Sequence, residues 1–375
     1  MMISNKNTIL KSALTALFLA VFTFLSPSVF AGEETSHDHA ASEEKFNSGK
    51  LILEHISDAH DWHIMGEGEQ AVSIPLPVIL YTAEKGLDMF MSGKFEHGHA
   101  TVQGKYNYRL DENNHILIVN EAGEKDEAAM AGLYDISITK NVASLFFSVA
   151  LLLFVFLSIA SAYKRNPNKA PSGLQSFMEP LIVFIRDEVA IPSIGKHKYE
   201  KFMPYLLTVF FFIWINNMLG IIPVIPGGAN LTGNIAVTGL LAVFTFVITT
   251  LNGNKHYWHH IFAMPGVPKW VLIILTPIEI MGIFLRPFVL MIRLFANILA
   301  GHIIALSFLC LIFIFGEMHT GLGFGVGIVS VLFNVFMGLM EILVALIQAY
   351  VFTLLSAFYF GAAVEQSHNH KESIV

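Results

Sequence analysis

The chain has 375 residues, 54% apolar and only 14% charged. Soluble domains carry about 25% charged residues, so this composition argues against an ordinary soluble protein and points to a membrane. The net charge of −7 conceals a division, because residues 32–141 carry 20 acidic against 8 basic side chains and residues 142–375 carry 9 against 12. The single cysteine, Cys310, excludes a disulfide framework and a cysteine-built zinc site.

In chain order, Lys6 and Lys11 precede an apolar run at 13–25, and Val29-Phe30-Ala31 precedes Gly32. A basic start, a short apolar core and a −3/−1 pattern of this kind describe a secretory signal peptide over residues 1–31. The apolar run is short for a membrane span, which needs about 20 residues. Residue 32 onward is therefore expected outside the cytoplasm, in a periplasm or its equivalent.

Residues 32–141 are acidic and rich in histidine: His37, His39, His55, His60, His63, His97, His99 and His115. Strand patterns appear at 72–80 and 100–110, with a third at 115–119 and a turn at Asn113-Asn114. A small β-containing exported segment is expected, its first fifteen residues disordered. His37-Asp38-His39 and His60-Asp61-Trp62-His63 offer metal-ligand types, but no spacing repeats. Solvated histidines are the better reading, and no metal or cofactor is expected.

After Lys140 the composition changes abruptly. Residues 142–162 make one membrane crossing. An amphipathic stretch at 173–194 follows, and seven basic residues between Tyr163 and Phe202 mark a cytoplasmic side. The N-terminal side is then outside, which agrees independently with the signal peptide. Residues 203–224 and 233–251 make two more crossings, separated by an outward turn at 223–230. Lys255, His256, His259, His260 and Lys269 return the chain to the cytoplasmic side. Two apolar blocks, 270–315 and 326–360, are too long for upright crossings at 1.5 Å per residue. A glycine-rich turn at 317–327 should join them into a hairpin of long tilted helices, with Pro287 kinking or breaking the first. The expected fold is an all-α polytopic membrane protein of about five crossings, a membrane domain at 142–365 and a cytoplasmic tail at 366–375.

Ionisable groups inside a membrane span are costly and mark function by default. The two blocks hold Glu279, Arg286, Arg293, His302 and Glu341, with Gln348 as a further polar group. Arg293 has only apolar sequence neighbours and cannot usefully deprotonate. It needs either a structural counter-ion, Glu279 or Glu341, or a mobile one; snorkelling to the interface is less convincing because apolar sequence continues from Ile298 to Phe315. In an antiparallel hairpin, residues at equal depth have a constant sum of numbers. Arg293 with Gln348 gives 641 and His302 with Glu341 gives 643, so one hairpin sets both pairs level. Arg293 and His302 lie about 900° apart around their helix and about 13.5 Å along it, on opposite sides. Two separate polar stations are expected.

The run Leu290-Met-Ile-Arg-Leu-Phe-Ala-Asn297 with Ala300-Gly-His302 resembles the signature helix of subunit a of the rotary, F-type ATP synthase. Glu279, Arg286-Pro287, Glu341, Leu346-Ile-Gln348-Ala-Tyr-Val-Phe352 and Asn217-Met-Leu-Gly-Ile-Ile-Pro223 extend the resemblance over roughly 130–365. It implies that Arg293 is the stator arginine, with Asn297 and Gln348 as polar neighbours. It also implies that His302 and Glu341 line an aqueous half-channel and that Glu279 holds a second acidic position. A c-ring of subunit c, a subunit b stator and a peripheral ATPase head follow as partners, in a bacterial inner membrane. The chain itself would be non-catalytic, with no nucleotide or nucleic acid bound. Ala296 departs from the family's usual glycine, and the long acidic 32–141 segment is an addition. The competing readings are a secondary transporter or metal exporter, which lacks a visible inverted repeat, and a plain anchor, which leaves the buried charges without a reason.

Overall fold

The computed structural model describes residues 48–365, apart from 66–71, 99, 112–113, 166–169, 223–226, 263 and 265–266. The expected signal peptide, the start of the acidic segment with His37 and His39, His99, Asn113 and the tail at 366–375 lie outside the described residues.

A small N-terminal module comes first. Helix α1 (Ser48–Ile56) leads into β1 (Asp61–Met65), which pairs antiparallel with β2 (Val72–Pro75). Strand β3 (Pro77–Thr82) lies between β4 (Gly86–Met91) and β8 (Leu133–Asp135). A third antiparallel sheet holds β5 (Val102–Gln103), β6 (Asn107–Leu110) and β7 (Ile116–Val119). The short helix α2 (Glu127–Met130) is capped by Asp126, whose carboxylate accepts from the Ala128 and Ala129 amides. Alternation along β3 sends Val78 and Leu80 inward, where they meet Phe95, Tyr108, Ile116 and Ile118 in one core. The strand expected at 72–80 is two strands parted at Leu76, because each half pairs with a different neighbour. The one expected at 100–110 is a hairpin. It turns at Gly104, where an added Cβ would land on the Asp88 carboxylate.

The membrane helices are α3 (Lys140–Arg165), α4 (Leu174–Phe184), α5 (Ile191–Ile194), α6 (Tyr199–Ile221), α7 (Ile235–Leu251), α8 (Lys255–Phe262), α9 (Lys269–Met318) and α10 (Thr320–Val364). A π-helical stretch at Ile185–Ala190 connects α4 to α5. Four of the helices (α3, α6, α9 and α10) are long and apolar enough to cross a membrane, and α7 with α8, bent by 103°, makes a fifth candidate. Helices α3 and α7 invert the polarity of a soluble protein. Helix α3 buries Ser144 and Ser148, and α7 buries Thr238, Thr245 and Thr249, while Phe154 and Leu251 stay 69% and 79% exposed. In lipid, apolar faces need no burial, so helices associate through small and hydrogen-bonding residues.

Helix α6 is central, burying Leu206, Phe210, Phe211 and Ile213. Phe211 meets Phe156 of α3 edge-on at 5.0 Å, and Phe202 stacks on Phe360 of α10 at 4.8 Å. Such aromatic pairs contribute roughly 0.5–1.5 kcal/mol each beyond area.

The 50 residues of α9 span about 75 Å. A hydrocarbon core is about 30 Å thick, so this helix is far longer than an upright crossing needs. The break or kink expected at Pro287 does not end the helix, which runs through both Pro277 and Pro287. Thr249, Thr250, Tyr257 and Tyr359 line the slit beside Pro287, and embedded helices tolerate proline where neighbouring groups or local adjustments serve the freed backbone. The reversal is also tighter than the expected turn at 317–327. It occurs at His319, and Gly321, Gly323, Gly325 and Gly327 belong to α10. Gly323 serves close approach: a Cβ there would sit 2.7 Å from the Gly316 Cα on α9.

The module is fastened to the helices at one end. Asp58 accepts from the Thr139 hydroxyl at 2.8 Å and the Asn141 amide at 3.0 Å, and so caps α3. The Trp62 indole donates to the Gly227 carbonyl between α6 and α7. At the opposite, basic end, Lys198 Nζ donates to the Val364 carbonyl and the Asn254 amide to the Ala363 carbonyl.

Candidate functional site: a polar hairpin in an apolar bundle

Helices α9 and α10 pack along most of their length, in the register read from sequence. Phe308 stacks against Phe333 with centroids 3.8 Å apart, a pair that satisfies the sum of 641. The Glu341 side chain lies against Gly301, where an added Cβ would stand 2.7 Å from Oε1 and 3.4 Å from Cδ. His302 and Glu341 are thus brought to one depth. They share a cavity of about 80 Å³ with Asn217, Asn297, Gly301 and Val344. A water needs roughly 10–15 Å³ measured this way, so several fit. The Glu341 Oε1 atom is buried with no hydrogen-bond partner among the described residues. An orphaned carboxylate oxygen facing a mainly apolar cavity large enough for water is a site for water or a proton.

The far wall belongs to α6. His302 Nε2 approaches Gly220, where a Cβ would meet it at 3.7 Å. Asn217 donates to the Ala345 carbonyl at 3.3 Å and accepts from the Thr232 hydroxyl at 2.5 Å. That pairing holds one polar side chain rigidly between three elements. Asn217 appears in the sequence only as part of a motif, and Gly301 only as a spacer. The legible signal was the Asn216-Asn217 pair in an otherwise apolar helix.

Arg293 stands apart. It is exposed on α9 and has no hydrogen bond or ion pair among the described residues. Neither Glu279 nor Glu341 is its counter-ion. Glu279 is paired at 4.0 Å with Arg286, one heptad further along the same face. Around Arg293 the exposed residues include Val289, Ala296, Asn297 and Ala300, a stripe that becomes small on its C-terminal side. Gln348 is buried, and no hydrogen bond joins it to Arg293 although they lie at equal depth by register.

A second polar group lies on the other side of Arg293 along α9. Arg286 sits 5.9 Å from the Tyr359 ring centre and shares a slit with Thr245, Thr249, Thr250 and Tyr257. The Tyr205 hydroxyl meets the Thr245 hydroxyl at 2.8 Å, and Thr245 meets Ser356 at 3.3 Å. Arg293 is seven residues from Arg286 and nine from His302, about 10 and 13 Å of helix respectively. One cation with no partner among the described residues therefore lies between two polar clusters.

A family model described as ATP synthase A chain matches residues 142–361. The chain belongs to that family. Subunit a 2 of the ATP synthase of Chlorobaculum tepidum is 48% identical over 244 residues, 63% of this chain and 66% of that protein. ATP synthase subunit a of Chloroherpeton thalassium is 42% identical over 254 residues, 64% of this chain and 73% of that protein. That of Myxococcus xanthus is 42% identical over 261 residues, 68% and 82% respectively. Family membership and the apolar helices together make this a multi-pass membrane protein. A second model, described as Domain of unknown function (DUF8433), matches residues 51–136 of the N-terminal extension. Among the described residues no three histidine, cysteine or carboxylate side chains converge on a metal position, and His60 is bonded to Asp135 at 3.1 Å.

Proposed function

We propose that this chain is the proton-conducting stator subunit of an F-type ATP synthase, with two aqueous half-channels and Arg293 facing a rotating c-ring. One observation carries the reading: Arg293 is an exposed cation with no counter-ion among the described residues, on a helix whose exposed neighbours, Asn297 apart, are apolar or small. A permanent charge of this kind needs a partner that arrives and leaves. A ring carboxylate passing at 4 Å gains about 4 kcal/mol from it at an effective dielectric of 20. That attraction favours the ionised carboxylate and discharges its proton. Because the guanidinium does not release its own proton, it also separates the two half-channels.

In this reading Glu341 and His302, with Asn297 at the cavity rim, pass protons on the exported side. Glu279 and the slit beside Arg286 serve the other half-channel, and Gln348 holds a buried polar position level with Arg293. The drive is the proton motive force, about 2.3 kcal/mol per charge per 100 mV for its electrical part. ATP chemistry belongs to the peripheral head, reached through the c-ring and the subunit b stator. The same reading divides the chain into a cleaved signal at 1–31, a periplasmic segment at 32–141, the membrane domain at 142–365 and a cytoplasmic tail. It sets the chain in a bacterial inner membrane.

The test is Arg293→Ala in the assembled complex. ATP synthesis driven by an imposed proton gradient should fall to background while assembly persists. Normal coupled synthesis in that variant would end the assignment.

A further inference from the structure

The module at 51–136 is fastened to the bundle on the side of His302. Helix α1 packs against α9. Lys140, 8% exposed at the start of α3, donates to the His55 carbonyl at 3.3 Å and lies within Coulombic reach of Asp58 and Asp61. His55 and Lys140 in turn lie within Coulombic reach of His302. The short turn Leu231–Gly233 touches α3, α6 and α9, and its Thr232 holds Asn217 on the cavity wall.

Along this joint the buried polar atoms are incompletely paired. Asn141 Oδ1, Ser144 Oγ, His60 Nδ1 and Asn230 Nδ2 have no hydrogen-bond partner among the described residues. Their residues are at least nine-tenths buried. A single orphan can be an accident of geometry. Each unpaired buried group costs roughly 1–3 kcal/mol unless water satisfies it, so Asn141 and Ser144, one turn apart on the buried side of α3, call for water at this joint. Asn141, Ser144 and Ser148 also form a polar stripe at helical spacing on the buried side of α3.

We propose that the joint between the N-terminal module and α3, lined by Asn141 and Ser144 and framed by Asp58, His55 and Lys140, is the water-filled mouth through which protons reach the His302–Glu341 cavity. The module would thereby be a fixed vestibule of the channel. Its acidic residues, Asp58 and Asp61, offset the Lys140 charge and keep the mouth open to cations. This inference rests on the half-channel reading above, and the experiment separates the two.

The chain has one cysteine, so Cys310→Ala provides a thiol-free background. Into it are placed Asn141→Cys, Ser144→Cys, the cavity residue Val344→Cys and the lipid-facing Phe154→Cys, each studied as the assembled synthase in membranes. The probe is the small cation 2-aminoethyl methanethiosulfonate, added from the exported side, with labelling rates read by mass. Asn141→Cys or Ser144→Cys should label at least tenfold faster than Phe154→Cys. If both match Phe154→Cys while Val344→Cys labels rapidly, the cavity is hydrated by another route and the mouth is wrongly placed. If Val344→Cys is equally inert, the half-channel reading itself fails and takes this inference with it.

Discussion

Gly301 offers the sharpest perturbation because its effect can be separated from folding. An added Cβ would stand 2.7 Å from the Glu341 Oε1 atom, where ordinary contact begins at 3.4 Å. The carboxylate must therefore retreat by about 0.7 Å. It can do so, since the clashing atom is the far end of a flexible side chain beside a cavity of about 80 Å³. A methyl group also takes up part of the space of one water, about 30 Å³ in the liquid. Within a helix, alanine is favoured over glycine by about 0.8–1.0 kcal/mol. Gly301→Ala should thus assemble normally and resist heat at least as well as the parent. Proton transfer is sensitive to such displacements, and a misplacement near 1 Å can cost up to about a hundredfold. A loss on the order of tenfold in ATP-driven proton pumping, read by dye quenching in inverted vesicles, is expected. Adding Glu341→Asp withdraws the carboxylate by one methylene and should restore part of that loss. Full pumping in Gly301→Ala, or strictly additive losses in the double variant, would refute a working carboxylate at this position.

His302 and Glu341 line one cavity, so exchanging them tests whether they act together. The variant with His302→Glu and Glu341→His should pump better than the worse of the two single variants, and a double variant no better than that counts against coupling. Gly361→Ala should impair assembly itself. Its Cβ would land on the Ser193 carbonyl oxygen of α5, where backbone meets backbone and neither side can yield. Overpacking of this kind costs about 1–3 kcal/mol, so the yield and melting temperature of the purified complex should drop. In the module, burial raises the Asp135 carboxyl, but hydrogen bonds from His60 and Ser137 outweigh it and hold the group below the usual carboxylate range. A lowered folded-state value stabilises above the unfolded value near 3.9, and that contribution is lost as pH falls through the folded one. Hydrogen-exchange protection of β8 should decline in acid in the parent, with a smaller decline in Asp135→Asn.

Much of the site was legible in residue types alone, because lipid makes every charge conspicuous. Arg293, His302, Glu341 and Glu279 stand out against apolar sequence. The hairpin register also followed from residue numbers, since an antiparallel pair of uninterrupted helices has one free parameter, the position of the turn. The reversal at His319 shifts that parameter only slightly from the expected glycine-rich stretch. The strands of the module were less legible. Alternation marks a strand but not its partner, so 72–80 read as one element although its halves join different sheets. Strands β1, β4 and β8 gave no pattern strong enough to stand alone.

Residue types and their periodicity mark a helical membrane protein with costly polar groups in its last two helices. Composition and periodicity carry that information locally. Only the tertiary structure decided how those groups are partnered. Glu279 goes to Arg286, Glu341 lies over Gly301, Asn217 is held by Thr232, and Arg293 has no counter-ion among the described residues. Partnering depends on which helix faces meet, and three of these four arrangements involve residues far apart in the chain or absent from any local pattern. The fastening of the acidic module beside His302 is of the same kind. It rests on hydrogen bonds donated to Asp58 by the Thr139 hydroxyl and the Asn141 backbone amide, which no local sequence pattern announces.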